Sequence, residues 1–286
     1  MADINLTANG ATTNIGGVIF ADVDNIGSGT GNYAPFLSIG DNDGSEAGFN
    51  TTTDTVGPQN PNISAPKTHE VLLANVPIIR VNGIDYFEIR LDLNEPGSDT
   101  LVSLNTFKLY AGPNDLDPGT GVNYVDTLAE LNSLSLVYDM DAGGDKRLLL
   151  DKNSSGSGTD DYSILIPVSL FAGRDPATTY VFLYAEIGTP SNTYDAESGF
   201  EEFNLQSAGS LVGTKFSDVN SNTVRDTGEV GVAGVTVFID ANKDGILNGD
   251  TNGNGIQDGA EVVTERYTVT DANGNYTFSG VALGTW

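Results

Sequence analysis

The stretch from Asp85 to Leu93 alternates strictly between apolar and polar side chains, and it restricts the fold more than any other part of the chain. Polar residues occupy one set of alternate positions, and the other set carries Phe87, Ile89, Leu91 and Leu93. A period of two is typical of a half-buried β-strand, because successive side chains point to opposite faces. The stretch therefore predicts a sheet with one face packed on a core and the other face in water.

Shorter runs of β-branched and aromatic residues recur along residues 1–206, and clusters of turn residues separate them. These runs predict further strands at residues 17–21, 70–74, 77–81, 106–111, 134–140, 162–168 and 180–187. Glycine contributes 35 residues, which favours many turns, and only residues 124–131 favour a short helical segment. Two packed antiparallel sheets would bury so many one-sided strands. We therefore predict an all-β fold with an antiparallel β-sandwich at residues 1–206.

The sequence changes character after residue 206. Residues 207–211 are Ser-Ala-Gly-Ser-Leu, and this run of mostly small residues predicts a linker. Beyond it, regularly spaced Asp and Asn residues accompany a second set of strand signals. We therefore predict a second, smaller β-domain at residues 212–286.

The chain is strongly acidic, with 39 acidic and 12 basic residues and a formal net charge of −27. Such a surface repels phosphate backbones and anionic lipid headgroups, so no nucleic-acid partner is expected. No stretch approaches the roughly 18 apolar residues of a membrane span, so no membrane insertion is expected in this segment. Two explanations of the charge remain, which are solubility in salt and the collection of carboxylates around divalent cations.

The acidic residues of the second domain follow the spacing of a calcium-binding loop. From Asp218 to Glu229, oxygen-bearing side chains stand at positions 1, 3, 5, 9 and 12 of a twelve-residue window. Calcium takes about six to eight oxygens, and such a loop adds a main-chain carbonyl from position 7. Position 6 is usually glycine and is Thr223 in this window. The predicted ligands are Asp218, Asn220, Asn222, the carbonyl of Val224, Asp226 and Glu229.

A window from Asp250 to Glu261 matches the whole EF-hand loop pattern, with Gly255 at position 6. Its predicted ligands are Asp250, Asn252, Asn254, the carbonyl of Ile256, Asp258 and Glu261. We name the window at 218–229 loop 1 and the window at 250–261 loop 3.

Loop 2 lies between them and begins at Asp240. Its predicted ligands are Asp240, Asn242, Asp244, the carbonyl of Ile246 and Asn248. Position 12 is Thr251 instead of glutamate. Loop 2 either shares Asp250 with loop 3 or takes its last ligand from elsewhere in the fold. The three windows together predict two to three Ca²⁺ ions.

Strand signals flank these loops, at residues 231–239 and 267–270. The usual EF-hand sensor opens a groove between two helices, so these flanks exclude it. The calcium is therefore expected to be structural.

Three segments carry a resemblance to a known family. They are VGTKFSDVN at Val212–Asn220, EVGVAGVTV at Glu229–Val237 and TDANGNYTF at Thr270–Phe278. The region 212–286 resembles the SdrD B-like domains of bacterial surface adhesins. The resemblance implies an Ig-like, prealbumin-like (Cna-B) sandwich in which loop 1 holds calcium and the ion stiffens a stalk module. It also implies that the domain is truncated at its last strand, so that either the chain is part of a longer protein or another chain supplies the missing strand.

Residues 47–51, 104–110 and 199–203 resemble an uncharacterised β-sandwich module of secreted bacterial proteins, for which no activity is known. We therefore expect a non-enzymatic secreted or cell-surface protein of adhesin or matrix type. Its expected partners are calcium, a host or matrix protein or glycan, and neighbouring domains of the same chain.

Two other functions remain open for residues 1–206. One is a carbohydrate-binding or lectin-like module, and the other is a glycan-acting hydrolase that would use two carboxyl groups. His69 is the only histidine and cysteine is missing, so zinc sites and Ser–His or Cys–His catalysis are not expected. Two acidic stretches, at residues 41–46 and 139–145, could hold cations, but the preference of Asp, Asn and Gly for turns explains their composition better.

Overall fold

The chain folds into short β-strands with very little helix. The computed structural model describes residues 1–26, 33–40, 44–51, 67–95, 99–116, 125–152, 160–190, 193–196, 199–206, 208–240, 243–257 and 261–282. Strand makes up 48% of these residues and helix 5%. The prediction of an all-β fold with sandwich-like antiparallel sheets is confirmed.

The regular elements of the described residues are eighteen strands, one α-helix and two short 3₁₀ turns. The strands are β1 (Ala2–Asn5), β2 (Thr12–Ile15), β3 (Val18–Ile26), β4 (Tyr33–Ile39), β5 (Glu46–Phe49), β6 (Val71–Leu72), β7 (Ile78–Val81), β8 (Ile84–Asp92), β9 (Leu101–Gly112), β10 (Ser135–Asp139), β11 (Lys146–Asp151), β12 (Asp160–Pro167), β13 (Tyr180–Ile187), β14 (Glu201–Gln206), β15 (Ala208–Thr214), β16 (Thr236–Phe238), β17 (Tyr267–Val269) and β18 (Asn275–Ala282). The helix α1 is Leu128–Leu131, and the 3₁₀ turns are Leu73–Asn75 and Val168–Phe171. Every predicted strand region contains strand residues, and the predicted helical segment is helical at 128–131.

The chain divides into two units. The first unit comprises Met1–Val76 and Phe87–Ser207, and the second comprises Pro77–Tyr86 and Ala208–Trp286. Residues 77–86, predicted as part of the N-terminal domain, therefore belong to the second unit. The predicted linker at 207–211 instead lies in β15 from Ala208 onward. Its main chain pairs with β18, and small side chains do not prevent that pairing.

Two sheets build the first unit. One has the strand order β1-β11-β9-β13-β5, with β10 beside β9 and β6 beside β13. The other has the order β2-β3-β12-β8-β14-β4. The pair of β1 and β11 is parallel, which the antiparallel prediction did not include.

Aromatic side chains join the two sheets of the first unit. The ring of Phe107 on β9 meets the ring of Phe20 on β3 edge to face, with 5.5 Å between centroids. The ring of Phe203 on β14 lies 6.2 Å from the same Phe107 ring. All three side chains are buried. These contacts cross from one sheet to the other and place the core between them.

Strand β8 is buried on both faces, so the prediction of a half-buried strand is wrong. The apolar side chains of the alternating stretch are buried as predicted. Its polar residues Glu88, Arg90 and Asp92 are buried as well. The Glu88 carboxylate forms an ion pair with Arg90 at 2.6 Å and accepts a hydrogen bond from Ser163 Oγ at 2.8 Å. Mutual pairing lets the polar face leave water.

The buried polar face includes Asp160, at the start of β12. The Asn204 side-chain amide donates to Asp160 Oδ1 at 3.3 Å, and Oδ2 accepts no hydrogen bond among the described residues. Burial raises the pKa of Asp160 to about 6, although the Arg90 charge and the Asn204 amide counteract part of that rise. Removing a carboxylate from water disfavours its charged form. Asp160 is therefore a destabilising charge at neutral pH.

We predict that Asp160→Asn makes the stability of the first unit less dependent on pH. The pKa of Asp160 is about 6 in the folded state against a usual 3.8, so its stabilising contribution is complete below pH 3.8 and is lost as the pH rises through 6. The variant should match the parent near pH 4 and exceed it by about 2–3 kcal/mol near pH 7.5. Urea denaturation at several pH values measures this difference. The exposed Asp145→Asn serves as the control, and a stability difference for Asp160→Asn that is independent of pH would contradict the prediction.

The second unit contains two antiparallel ladders, β15 with β18 and β16 with β17. Its hairpin Pro77–Tyr86 turns at Asn82 and Gly83, whose φ angles of 49° and 80° suit a two-residue Asn-Gly turn. Few apolar side chains are buried in this unit. Among the described residues of this unit they are Tyr86, Leu247, Val263, Phe278 and Val281. So small an apolar core suggests that other interactions stabilise the unit.

Candidate metal centre

The carboxylate of Asp218 organises the first half of loop 1. Its Oδ1 accepts the N–H of Asn222 at 3.1 Å, and its Oδ2 accepts the N–H of Thr223 at 2.8 Å. These donors can reach one carboxylate because Ser221 and Thr223 adopt left-handed backbone conformations, with φ of 58° and 67°. The loop main chain therefore curls around the side chain at position 1.

The second half of loop 1 is closed by Glu229, which is buried. One carboxylate oxygen accepts the N–H of Val219 at 2.8 Å, and the other accepts the N–H of Asp226 at 3.0 Å. Asp226 Oδ2 in turn accepts the side-chain amides of Asn220 and Asn222, each at 2.8 Å. The structure thus brings the predicted ligand side chains of loop 1 close to one another.

Loop 3 repeats this geometry. The Asp250 carboxylate accepts the N–H of Asn254 at 3.2 Å and that of Gly255 at 2.6 Å. Gly253 and Gly255 are left-handed, with φ of 72° and 81°. Glu261 Oε1 accepts the N–H groups of residues 251 and 252, each at 3.0 Å. The predicted ligand Asp258 lies outside the described residues.

Loop 2 has the same first half. The Asp240 carboxylate accepts the N–H of Asp244 at 3.1 Å and that of Gly245 at 2.8 Å. Lys243 and Gly245 are left-handed, with φ of 62° and 77°. The side chains at positions 5 and 9 also meet, because the Asn248 amide lies 3.4 Å from Asp244 Oδ2. The predicted ligand Asn242 lies outside the described residues.

Glu265 occupies the place of the glutamate that loop 2 lacks. Glu265 Oε2 accepts the N–H of Asn248 at 3.1 Å, and the side chain is buried. Asn248 is at position 9 of loop 2, and in loop 1 the position-9 N–H of Asp226 donates to Glu229 in the same way. The structure therefore favours a last ligand from elsewhere in the fold over a shared Asp250. Sequence reasoning missed Glu265 because it lies 17 positions beyond Asn248, far outside the loop pattern.

The residues at position 7 expose large apolar side chains. The exposed fractions are 60% for Val224, 63% for Ile246 and 40% for Ile256. Burying these side chains would be favourable, so their exposure indicates that the loop backbone determines where they lie. An outward side chain at this position agrees with a loop that uses only the carbonyl of the residue.

Arg80, from the hairpin of the second unit, holds the end of loop 3. Its Nε donates to the carbonyl of Val263 at 2.8 Å, and its Nη2 donates to Gln257 Oε1 at 3.0 Å. The guanidinium also lies over the ring of Tyr267, 5.8 Å from its centroid. The Tyr267 hydroxyl accepts the N–H of Gln257 at 3.0 Å. These contacts were not predictable, because Arg80 is 177 positions from Gln257.

The donors in the three loops are mixed. Among the described residues, no group of three or more His, Cys, Asp or Glu side chains lies close enough to hold a metal ion by itself. Each loop instead combines carboxylates with asparagine side chains, and the sequence pattern predicts a main-chain carbonyl at position 7. These are hard oxygen donors, which suit Ca²⁺ better than zinc.

The predicted acidic turn at 139–145 binds a lysine. The Lys146 ammonium group donates to the carbonyls of Met140 at 2.9 Å and Gly144 at 2.7 Å. A protein cation thus occupies this turn. Of the other acidic turn, residues 41–43 lie outside the described residues.

The chain matches no known protein-family model, no curated protein and no solved structure. In the part of the chain that the structure describes, no helix is both long and apolar enough to cross a membrane.

We predict that Thr223→Gly stabilises the second unit by up to about 1 kcal/mol. A residue with a β-carbon in the left-handed conformation costs about 1–2 kcal/mol, which glycine avoids. Glycine also makes the unfolded chain more flexible, and this cancels about 0.4–1 kcal/mol of the stabilisation. Urea denaturation of the second unit measures the difference. Thr227 lies in the same loop without a left-handed φ, so Thr227→Gly should destabilise the unit. Equal effects of the two substitutions would contradict the assignment of strain to Thr223.

Proposed function

We propose that the second unit is a calcium-binding β-domain that holds up to three structural Ca²⁺ ions. The observation that carries the proposal is the repeated loop geometry. In each loop a position-1 aspartate accepts at least two main-chain N–H groups, positions 4 and 6 are left-handed, and a glutamate closes the second half. Glu229 closes loop 1, Glu265 closes loop 2 and Glu261 closes loop 3. Turn-forming composition alone does not explain the same arrangement three times.

Calcium would stabilise this unit through the acids that its loops collect. Asp226 and Glu229 stand close together in loop 1, and without a cation their charges repel one another. An ion that binds only the folded state stabilises it by about 3–4 kcal/mol at 100–1,000 times its Kd. A unit with so few buried apolar side chains depends strongly on such a contribution.

We further propose that the protein is a non-enzymatic, secreted or cell-surface protein of adhesin or matrix type. The resemblance of residues 212–286 to SdrD B-like domains supports this assignment. Calcium loops of extracellular modules bind in the range of about 10⁻⁴–10⁻³ M, so millimolar calcium outside the cell would keep such a domain rigid. The partners that fit such a role are a host or matrix protein, a glycan, or neighbouring domains of the same chain.

We predict that millimolar calcium raises the melting temperature of the second unit relative to the chelated protein. At the affinities given above, millimolar calcium is about 1–10 times Kd, so each ion contributes on the order of 0.4–1.4 kcal/mol and up to three ions shift the transition by a few degrees. Differential scanning calorimetry in chelator and in calcium measures the shift, with magnesium at the same concentration as a control for ionic strength. An unchanged transition of the second unit would overturn the calcium proposal.

We predict that Glu265→Gln removes one ion from the calcium count. The substitution takes away the charge that closes loop 2 and leaves loops 1 and 3 intact. Isothermal titration calorimetry with calcium measures the count. Asp271→Asn is the matched control, because Asp271 is an acid of the same unit that accepts main-chain N–H groups in a turn outside the loops. A count that Glu265→Gln leaves unchanged would show that Glu265 only orders the chain.

A further inference from the structure

Two glutamates of the first unit point into its interior. Glu46 begins β5 in one sheet, and Glu201 begins β14 in the other. Their exposed fractions are 2% and 0%. The carboxyl of Glu46 lies within hydrogen-bonding distance of the carboxyl of Glu201. One carboxyl from each sheet therefore meets the other inside the first unit.

The surroundings of Glu201 do not compensate its charge. Neither of its oxygens accepts a hydrogen bond of good geometry among the described residues, although the main-chain N–H groups of Asn94 and Glu201 lie near. The next residue along the strand, Glu202, pairs with Lys67 at 2.6 Å. Burial, and then the neighbouring Glu46, raise the pKa of Glu201 well above its usual value. Two carboxyls in contact inside a protein require a positive charge between them, which is either a proton or a metal ion.

Four glycines lie at the ends of the strands that position these glutamates. Gly40 follows β4, Gly44 precedes β5, Gly188 follows β13 and Gly199 precedes β14. A Cβ at Gly40 would lie 2.6 Å from the carbonyl oxygen of Gly199, and one at Gly188 would lie 2.6 Å from that of Gly44. Only glycine allows the main chain to approach so closely. The close approach brings together the ends of the strands on which the two glutamates lie.

We propose that Glu46 and Glu201 bind one divalent cation in the first unit. A shared proton would satisfy one oxygen of Glu201 and leave the other without a hydrogen bond from the described residues, whereas a divalent cation can bind both oxygens. Carboxylate and carbonyl oxygens are the ligands of a hard ion of the calcium class. This site is independent of the loops in the second unit and does not rest on their function.

The test is the calcium count of the full chain, measured by isothermal titration calorimetry at neutral pH. Glu201→Gln should bind one ion fewer than the parent. Glu202→Gln is the matched control, because it removes the neighbouring charge that pairs with Lys67, and it should keep the parent count. An equal count for the parent and Glu201→Gln would overturn the proposal and leave a proton shared between the carboxyls.

Hydrogen exchange of the unsubstituted chain decides the proposal even where Glu201→Gln fails to fold. Calcium should slow exchange by at least several-fold at residues 44–47 and 199–203, where β5 and β14 begin. Unchanged exchange at both strand starts would overturn the proposal. Exchange in loops 1 to 3 reports separately on the second unit, so failure of one proposal is distinguishable from failure of the other.

Discussion

The hydrogen bonds that main-chain N–H groups donate to an aspartate carboxylate determine the shape of each loop in the second unit. Asp218, Asp240 and Asp250 each draw the following four or five residues around themselves. The curl requires left-handed residues at two positions, where glycine costs least. Loops 2 and 3 have glycine at position 6, whereas loop 1 has Thr223. The geometry is the same in all three loops, so the carboxylate dictates the turn even against the preference of a β-branched residue.

This curl turns the alternate oxygen-bearing side chains toward one another. In loop 1 the amides of Asn220 and Asn222 meet at a single oxygen of Asp226. The closing glutamates, Glu229 and Glu265, are buried, so their charges are expensive unless a cation or several donors compensate them. Calcium would compensate these charges and hold the halves of each loop together. Because the apolar core of the unit is small, this stabilisation by calcium would be a large part of its total stability.

Much of the fold and of the site followed from local pattern. The strand positions came from alternation and turn residues, and the three position-1 aspartates came from loop spacing. The predictions that failed concern residues whose partners lie far away in the sequence. Glu265 replaces a missing loop glutamate from 17 positions away, and Arg80 reaches loop 3 from a hairpin that the sequence assigned to the other domain. The polar face of β8 looked solvent-exposed because its period of two does not reveal that Glu88 and Arg90 pair with each other.

We propose that the three loops of the second unit are calcium sites. Anomalous scattering from crystals grown in calcium tests it most directly, because the signal locates each ion without any assumption about affinity. We expect one anomalous peak in each loop, about 2.3–2.6 Å from the carboxylate oxygens of its aspartate and glutamate. These pairs are Asp218 with Glu229, Asp240 with Glu265, and Asp250 with Glu261. Loops that keep the hydrogen bonds described above and show no anomalous peak at saturating calcium would contradict it.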